Sequence, residues 1–421
     1  MGSRSEADPL LASLHRGPRV QAPASVDGKP APRAHEGSAG TAQQRRLLYF
    51  LNAFDRGGAE LGLLFLARNS FFAPFDARVV AICRGEGGLE RELAASGLRA
   101  EALFPSDRMT WRHMAAALPR LIGLLRRERP SVLVLSLPQA NIVGRLAACL
   151  TGVPVVVSFE HNTRLSRRLF ELLYLLLSPR VGLMFADCPR TADVSRKRFY
   201  LRRRVPHFVV PLCSFSRQPA RRPANVPSLR SDLRVASVGR LTRTKNHRCL
   251  IEAVALLHRQ GLAVSAEIFG DGPLRHELER LAAARGVAEL VDFRGFVARW
   301  WEHSNANVSV VTSLHEGLCI VALEAMWAGI PVIAPSCGGI VDYGTDANMF
   351  LLPDLEHETL AGRLRDVMAD PEEAARHTEA ARRTVAEMFS EDLVAEKLRD
   401  ISAQLSADSI GRPRCPRDRR Y

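Results

Sequence analysis

The sequence predicts an α/β protein built from two doubly wound domains. Short, apolar, β-branched segments alternate with helical segments along both halves of the chain, a pattern typical of parallel sheets covered on both faces by helices. The alternation is interrupted once, at the Pro-, Ser- and Arg-rich stretch 212–230, which we interpret as a linker. With 421 residues, the chain is long enough for a separate hydrophobic core in each domain.

The first half, 45–211, contains four clear strand patterns separated by helical ones. They are RLLYFLN at 46–52, ARVVAIC at 77–83, SVLVLSL at 131–137 and VPVVVSF at 153–159. A further apolar segment, Leu169–Phe185, comes closest to a membrane span, but Glu171, Pro179 and Arg180 interrupt it. We therefore interpret this segment as a buried helix followed by a turn and a strand.

The second half, 231–388, repeats the pattern. Its predicted strands are LRVASVG at 233–239, AEIFG at 266–270, LVDFRGF at 290–296, NVSVVTS at 307–313 and IPVIAPS at 330–336. A helix is predicted over 389–405, with Ser390 as its N-cap. The tails, 1–44 and 406–421, lack apolar periodicity and are rich in Pro, Gly, Ala, Ser or Arg, so we expect both to be disordered.

Composition and charge narrow the class of protein. Hydrophobic residues make up 47% of the chain and charged residues 24%, as in globular proteins. The eight cysteines are scattered without a CxxC pair, which suits free thiols in a reducing compartment better than disulfides or a zinc site. Since no segment resembles a signal peptide, we expect a cytoplasmic protein. The formal charge is +17 over 45–230 and −8 over 231–405, so the two domains are expected to have different neighbours.

Charged side chains follow the predicted strands of the second half. Arg240 and Lys245 stand between a strand and a helix, where two cations and a helix N-terminus suit a diphosphate, although they could equally be solvated surface cations. Glu316 follows another strand and Glu324 lies on the next helix, so both can face one cleft beyond the strand ends. Buried carboxylates need hydrogen-bond partners, and the vicinal hydroxyls of a sugar or a ribose would supply them.

Glycines and one histidine occupy other loops of this kind. Gly338 and Gly339 can bring backbone N–H groups close to a phosphate, or form an ordinary turn. Gly57 and Gly58 lie between a strand and a helix, where a side chain would block a ligand, or they form an ordinary glycine turn. His161 follows the strand VPVVVSF, a position that favours a functional role, although a lone histidine is usually structural.

Taken in order, these motifs resemble a known family. VGRLTRTKN, the GDGP turn, EGLCIVALE with seven residues between its glutamates, AMWAGIPVIA and CGG occur in the order found in the retaining family-4 glycosyltransferases of GT-B architecture. DRGGAE and the strand-end histidine resemble the first domain of that family. The resemblance covers about 46–405. It implies two Rossmann-like domains that face an interdomain cleft, with the C-terminal helix returning to the first domain.

By matching position, the resemblance implies a role for each candidate residue. Arg240 and Lys245 would hold the donor diphosphate and stabilise the negative charge that develops on it. Glu324 would accept the ribose hydroxyls and Glu316 those of the transferred sugar, while His161 would lie near the reacting sugar and the acceptor. The backbone lining the donor would belong to five glycines, Gly57, Gly58, Gly317, Gly338 and Gly339. One departure is Cys319, which stands where the family usually has Gly or Pro.

The resemblance also implies the reaction and its partners. The expected donor is a nucleotide-sugar, with uridine as the preferred base and guanosine second. The expected acceptor is a glycan or a polyprenyl-linked glycan of bacterial cell-surface polysaccharide or lipopolysaccharide biosynthesis. Because no Asp-x-Asp occurs in the chain, we expect no metal and no other cofactor. A same-face displacement is generally favoured for retention in this family, and a covalent glycosyl-enzyme is the alternative.

The basic first domain suggests where the enzyme works. The stretch RKRFYLRRR at 196–204 places six cations in nine residues, and Arg164, Arg167 and Arg168 precede it. Such a patch is either a solvated face or a surface attracted to anionic lipid, at about 1 kcal/mol for each nearby cation. We therefore expect a peripheral enzyme at the cytoplasmic face of the membrane.

Three other functions fit parts of the sequence. A pI of about 10.0 suits a nucleic-acid-binding protein. That function leaves the acidic second half and the spacing of the glutamates unexplained, so no nucleic-acid partner is expected. A GT-B sugar-nucleotide epimerase shares the two-domain cleft but needs no acceptor. An inactive scaffold would bind no donor.

Overall fold

The computed structural model of the protein describes residues 44–407, apart from 86–87, 162–167, 201–204, 219, 225–227 and 230–231. The two tails that the sequence predicts to be disordered, 1–44 and 406–421, lie almost wholly outside the described residues.

The first sheet contains seven parallel strands in the described part of the chain. The strands are β1 (Arg45–Ala53), β2 (Phe75–Cys83), β3 (Arg99–Phe104), β4 (Val132–Ser136), β5 (Val155–Glu160), β6 (Leu183–Ala186) and β7 (His207–Val209). Their order is β3-β2-β1-β4-β5-β6-β7. The helices between them are α1 (Gly58–Arg68), α2 (Leu89–Ala95), α3 (Trp111–Glu128), α4 (Pro138–Thr151), α5 (Arg168–Leu177) and α6 (Pro189–Phe199).

The second sheet is also parallel, with six strands among the described residues. The strands are β8 (Leu233–Val238), β9 (Val264–Phe269), β10 (Val291–Gly295), β11 (Val308–Val310), β12 (Val332–Pro335) and β13 (Phe350–Leu352), in the order β10-β9-β8-β11-β12-β13. Five helices accompany this sheet, α7 (His247–Arg259), α8 (Arg275–Ala284), α9 (Ile320–Ala328), α10 (His357–Ala369) and α11 (Pro371–Phe389). A short 3-10 helix, Trp300–Glu302, lies between β10 and β11.

The predicted α/β fold with two doubly wound domains is confirmed. All nine strand patterns named from the sequence form strands, and most of these apolar runs are buried by helices on both faces of a parallel sheet. The exception is β10, an edge strand in which Val291 is the one buried residue. In β4 and β5 every residue is buried. The sequence patterns do not predict three strands. β3 and β7 are the edge strands of the first sheet and have no buried residue, and β13, at an edge of the second sheet, has three residues.

The C-terminal helix α12 (Glu391–Ser406) returns to the first domain, as predicted. Its buried residues Val394, Leu398, Ile401 and Leu405 belong to the hydrophobic core that covers the first sheet. The two chain segments that pass between the domains pair with each other. Phe215 donates its N–H to the carbonyl of Phe389 at 2.8 Å and accepts the N–H of Glu391 at 3.2 Å. These two hydrogen bonds therefore join both interdomain segments to each other at Phe215.

The prediction of a buried helix within Leu169–Phe185 is wrong. The segment does form a helix, α5, and the strand β6, but Tyr174 is the one buried residue of α5. Four leucines of α5, at 169, 172, 175 and 176, are between 43% and 65% exposed. The helix is apolar on more of its circumference than the first sheet can cover, and apolar content alone does not reveal this. No helix in the described residues has the length and apolarity needed to cross a bilayer.

We expect Leu398→Ala to destabilise the first domain by about 2–5 kcal/mol, because truncating a fully buried leucine removes burial and leaves a cavity. Urea unfolding, read out by amide hydrogen exchange in the first sheet, would measure the change. The matched control is Leu393→Ala on the same helix, where the leucine is 40% exposed and the change should stay within about 0.5 kcal/mol. Equal effects of the two substitutions would contradict the docking of α12.

Candidate active site

The carboxyl ends of the two sheets face each other across a cleft. Asp187 directly follows β6, and its Oδ2 accepts the N–H of Leu318, in the loop before α9, at 3.3 Å. A second contact joins the Arg190 N–H to Asp342 Oδ2 at 2.9 Å. Loops at the carboxyl ends of parallel strands are where open α/β sheets bind ligands, so the facing loops form the candidate active site.

Lys245 and Glu316 form an ion pair inside this cleft. Lys245 Nζ lies 2.6 Å from Glu316 Oε1, and Glu316 is buried. Burial lowers the pKa of the Lys245 ammonium, but the neighbouring Glu316 carboxylate outweighs this effect, and the net shift is upward. Lys245 therefore stays positively charged. The sequence placed both residues in the site, but it did not indicate that each would be the other's partner.

Two glycine loops pack against each other beside this pair. Gly339 donates its N–H to the Gly317 carbonyl at 2.5 Å, and a Cβ at Gly338 would collide with the backbone of Glu316. The glycines are thus required by the contact between loops, and the Gly339 amide proposed for phosphate already has a partner. Cys319 has a φ of 61°, a left-handed conformation that a glycine adopts at lower cost.

Glu324 is held by a tryptophan that the sequence analysis did not single out. The Trp300 indole N–H donates to Glu324 Oε2 at 2.9 Å. Burial raises the pKa of Glu324 to about 7, and the hydrogen bond from Trp300 opposes this rise. Glu324 is partly exposed, so it can still meet a ligand in the cleft.

His161 lies at the carboxyl end of β5, where its ring is buried. Its Nε2 is 2.9 Å from Ser136 Oγ, and the ring stacks on Phe159 with centroids 4.2 Å apart. Burial lowers the pKa of His161 to about 3, so the ring is neutral near pH 7. Its Nδ1 is buried and has no hydrogen-bond partner among the described residues. The neutral ring is therefore held by Ser136 and Phe159, with its second nitrogen closed to solvent.

A buried arginine fixes the strand end that carries His161. Arg145 is fully buried on α4, and its Nη2 contacts Ser158 Oγ at 2.7 Å, the Tyr200 hydroxyl at 2.8 Å and Glu160 at 3.4 Å. Glu160 is the last residue of β5 and directly precedes His161. Since a buried charge is costly without partners, this network gives the end of β5 one preferred arrangement.

The first turn of α1 contributes an acidic group. Gly57 is the N-cap of α1, and a Cβ there would collide with the carboxylate of Glu60, whereas a Cβ at Gly58 would meet open space. Burial raises the pKa of Glu60 to about 7, and the charge of Arg240 from the second domain opposes the rise. Arg240 itself is exposed. The first domain therefore presents a carboxyl group towards the cation expected to hold diphosphate.

Three residues of this site are not among the candidates that the sequence predicts, namely Glu60, Asp187 and Trp300. Asp187 directly follows β6, so the rule that charged groups at strand ends are candidates would have found it, whereas Glu60 lies in the first turn of α1 and its one signal is the DRGGAE motif. Burial raises the pKa of Asp187 to about 6. Trp300 carries no comparable signal, because its contact with Glu324 depends on how the turn before β11 packs against α9.

Comparison with known proteins identifies both domains. Residues 224–384 match the family model "Glycosyl transferases group 1", and residues 72–230 match "Glycosyl transferase 4-like domain". The chain is 28% identical to the alpha-D-kanosaminyltransferase of Streptomyces kanamyceticus over 285 residues, 62% of this chain and 73% of that protein. It is 30% identical to the lipopolysaccharide core biosynthesis glycosyltransferase LpsE of Rhizobium meliloti over 168 residues, 38% of this chain and 47% of that protein.

The fold matches a solved structure over most of its length. Anabaena Alr3699/HepE, in a crystal structure with UDP and glucose, superposes with a TM-score of 0.71 and 20% sequence identity. The match covers 86% of this chain and all of that one. Likeness at this level of identity establishes the architecture, which is GT-B.

Gly317→Ala is expected to loosen the contact between the domains. A Cβ at this position would collide with the His161 carbonyl oxygen and with Asp187 Oδ2, and the first of these is backbone that cannot rotate away. We expect faster amide hydrogen exchange at Leu318. We also expect glycosyltransferase activity to fall at least about tenfold, since misplacing reacting groups by 1 Å can lower the rate by more than tenfold. Gly123→Ala on α3, where a Cβ meets nothing within 4 Å, is the control. Unchanged exchange at Leu318 would contradict the expectation.

Proposed function

We propose that this chain, which belongs to the glycosyltransferase family described by these two domain models, transfers a sugar from a nucleotide-sugar to a glycan or a lipid-linked acceptor with retention of anomeric configuration. The observation that carries the proposal is the placement of the Lys245–Glu316 ion pair in the interdomain cleft. A nucleotide-sugar carries a diphosphate, which a cation binds, and a hydroxylated sugar ring, whose hydroxyls a carboxylate accepts. The ion pair supplies one group for each.

The ion pair explains how a buried site can stay folded without a donor. Removing one partner of a buried pair is strongly destabilising, because it leaves an uncompensated charge. When a donor enters, the diphosphate can replace Glu316 as the partner of Lys245. The sugar hydroxyls can then replace Lys245 as the partners of Glu316. Both charges remain satisfied, and the exchange favours a ligand that carries both groups.

Arg240 and Lys245 would stabilise the departing nucleoside diphosphate. Both lie in the loop between β8 and the N-terminus of α7, where the helix dipole also favours negative charge. Preorganised donors of this kind are commonly worth about 3–4 kcal/mol each in the transition state. With two cations at the leaving group, no divalent metal is required by the proposal. The one described group of side chains close enough to share a metal, Glu356, His357 and Glu358, lies at the start of α10.

A same-face displacement is the mechanism that the site supports best. His161 is neutral, so it brings no charge near the reacting sugar or the acceptor. A covalent intermediate needs a carboxylate free to attack the anomeric carbon, whereas in this proposal the sugar hydroxyls engage Glu316 once the donor is bound. In the same-face route the departing phosphate oxygen accepts the proton of the acceptor hydroxyl as the new glycosidic bond forms.

Two relatives support the choice of substrates. The solved Anabaena structure holds UDP and glucose, which supports a UDP-sugar as the donor, with a GDP-sugar as the second candidate. The similarity to a lipopolysaccharide core glycosyltransferase supports an acceptor from cell-surface glycan biosynthesis.

Donor binding tests the proposal directly. Calorimetry with UDP-, GDP- and ADP-sugars is expected to show saturable binding of one donor class. Lys245→Ala and Glu324→Ala should each weaken that binding by about tenfold or more, because each removes a charged hydrogen-bond partner. Lys397→Ala and Glu396→Ala on α12 remove the same charges elsewhere and should leave binding unchanged.

Product analysis completes this test. Transfer to an acceptor with an unchanged anomeric configuration, read by proton coupling in the product, is expected. Epimerisation of the donor without an acceptor would favour the GT-B epimerase instead. Binding that is indifferent to Lys245→Ala and Glu324→Ala would contradict the assignment of the cleft.

The exposed face of α5 supports contact with a membrane surface. Leu169, Leu172 and Leu176 are spaced along one side of the helix, and Arg168 is exposed at its start. The basic stretch contributes less charge than its sequence suggests, since Lys197 pairs with Asp193 at 2.7 Å and Arg198 with Glu171 at 2.6 Å. Arg196 is exposed, and the remaining cations named for this patch, at 164, 167 and 202–204, lie outside the described residues. We propose that leucine insertion and anionic lipid attraction act together.

Liposome flotation tests the contribution of the exposed leucines of α5. The full-length protein is expected to float with anionic vesicles, and the double substitution Leu172→Gln with Leu176→Gln should reduce the bound fraction at least about threefold, because buried apolar area drives interfacial binding. Leu393→Gln, an exposed leucine on α12, is the matched control. No flotation of the wild type, or equal flotation of all three proteins, would contradict the role of α5.

A further inference from the structure

Trp300 stands out among residues that the sequence motifs leave without a role. It belongs to the short 3-10 helix after β10 and is only 2% exposed. Its indole N–H donates to Glu324 Oε2 at 2.9 Å across 24 positions of sequence. This tryptophan of the second-domain core therefore hydrogen-bonds the carboxylate that is proposed to bind the ribose of the donor.

Ring contacts fix the direction in which this N–H points. Trp300 packs against Phe269 at the end of β9, with centroids 5.9 Å apart, and against Trp301 at 6.2 Å and 81°. Trp301 packs in turn against Trp327 at 5.6 Å, and the Trp327 indole N–H donates to the Ser216 carbonyl at 2.8 Å. The rings of Phe269 and Trp301 therefore restrict the rotamers that the Trp300 indole can adopt.

We propose that Trp300 is a positioning residue for the donor, which occupies one oxygen of Glu324 and leaves the other oxygen aimed at the ribose hydroxyls. The inference rests on the proposed function, because it takes Glu324 as the ribose-binding group. The indole N–H can only donate, so it always favours Glu324 as an acceptor. A glutamate side chain has three rotatable bonds, and anchoring one oxygen removes most of that freedom before the nucleotide binds.

The chemistry of the pair supports this role over a purely structural one. A core tryptophan could satisfy its N–H with a backbone carbonyl, as Trp327 does. Trp300 instead uses a carboxylate whose pKa is raised to about 7 by burial, and the hydrogen bond works against that rise. It therefore helps Glu324 to remain an ionised acceptor at neutral pH. Trp301 is a natural comparison, since it is buried beside Trp300 and its N–H has no partner among the described residues.

The test compares nucleotides that differ only at the ribose. Calorimetry would measure the affinities of UDP and 2′-deoxy-UDP, with GDP and 2′-deoxy-GDP in parallel, for the full-length wild type, Trp300→Phe and Trp301→Phe. The wild type is expected to prefer the ribonucleotide by about tenfold or more, as for hydrogen bonds to a charged group. In Trp300→Phe the ribonucleotide should bind about tenfold more weakly while the deoxynucleotide changes less than about twofold. Trp301→Phe should keep the wild-type preference.

A second comparison guards against a general loss of packing. In the Glu324→Ala background, adding Trp300→Phe should not weaken UDP binding further, because the residue through which Trp300 acts is absent. Equal weakening of ribo- and deoxynucleotide, or an undiminished preference in Trp300→Phe, would overturn the inference and leave the proposed function standing. A wild type that binds none of the four nucleotides would overturn the inference together with the proposed UDP- and GDP-sugar donors.

Discussion

The approach of the two domains at Gly317 is the constraint on which the geometry of the cleft depends. The His161 carbonyl and the Asp187 carboxylate of the first domain lie so close to this residue that it cannot carry a side chain. On one side of it, Glu316 is held 2.6 Å from Lys245. On the other side, Leu318 donates its N–H across the cleft. The groups proposed to bind sugar, phosphate and acceptor are therefore placed relative to a single point of contact.

The cleft concentrates carboxyl groups in a way that folding alone does not favour. Burial raises the pKa of Glu60 and of Glu324 to about 7 and that of Asp187 to about 6, so each of them is costly to ionise where it lies. Lys245 compensates one further carboxylate, that of Glu316. Such clusters of carboxyl groups with raised pKa values are characteristic of sites that bind polar ligands, where the bound ligand supplies the missing hydrogen-bond partners. Several basic residues of the first domain, by contrast, form surface ion pairs, among them Arg56, Lys197 and Arg198.

The sequence predicts this fold well because its strands are buried on both faces and read as continuous apolar runs. It predicts the charged residues at strand ends for the same reason, since parallel strands bring those ends together. It does not predict the exposure of α5, because an apolar helix such as LFELLYLLL is covered only if a neighbour happens to lie over it. Nor does it predict the Trp300–Glu324 hydrogen bond, which depends on packing between a turn and a distant helix.

The return of α12 to the first domain has a consequence for biosynthesis. The ribosome makes the first sheet before the second, yet four residues of the core that covers the first sheet, Val394, Leu398, Ile401 and Leu405, are translated after the second sheet. The elements of the second sheet, from β8 to α11, are contiguous and are all available before that. A nascent chain can therefore complete its second domain while the first still exposes apolar surface, the condition in which chaperones engage unfinished domains. The domain that is synthesised first is the one that finishes folding last.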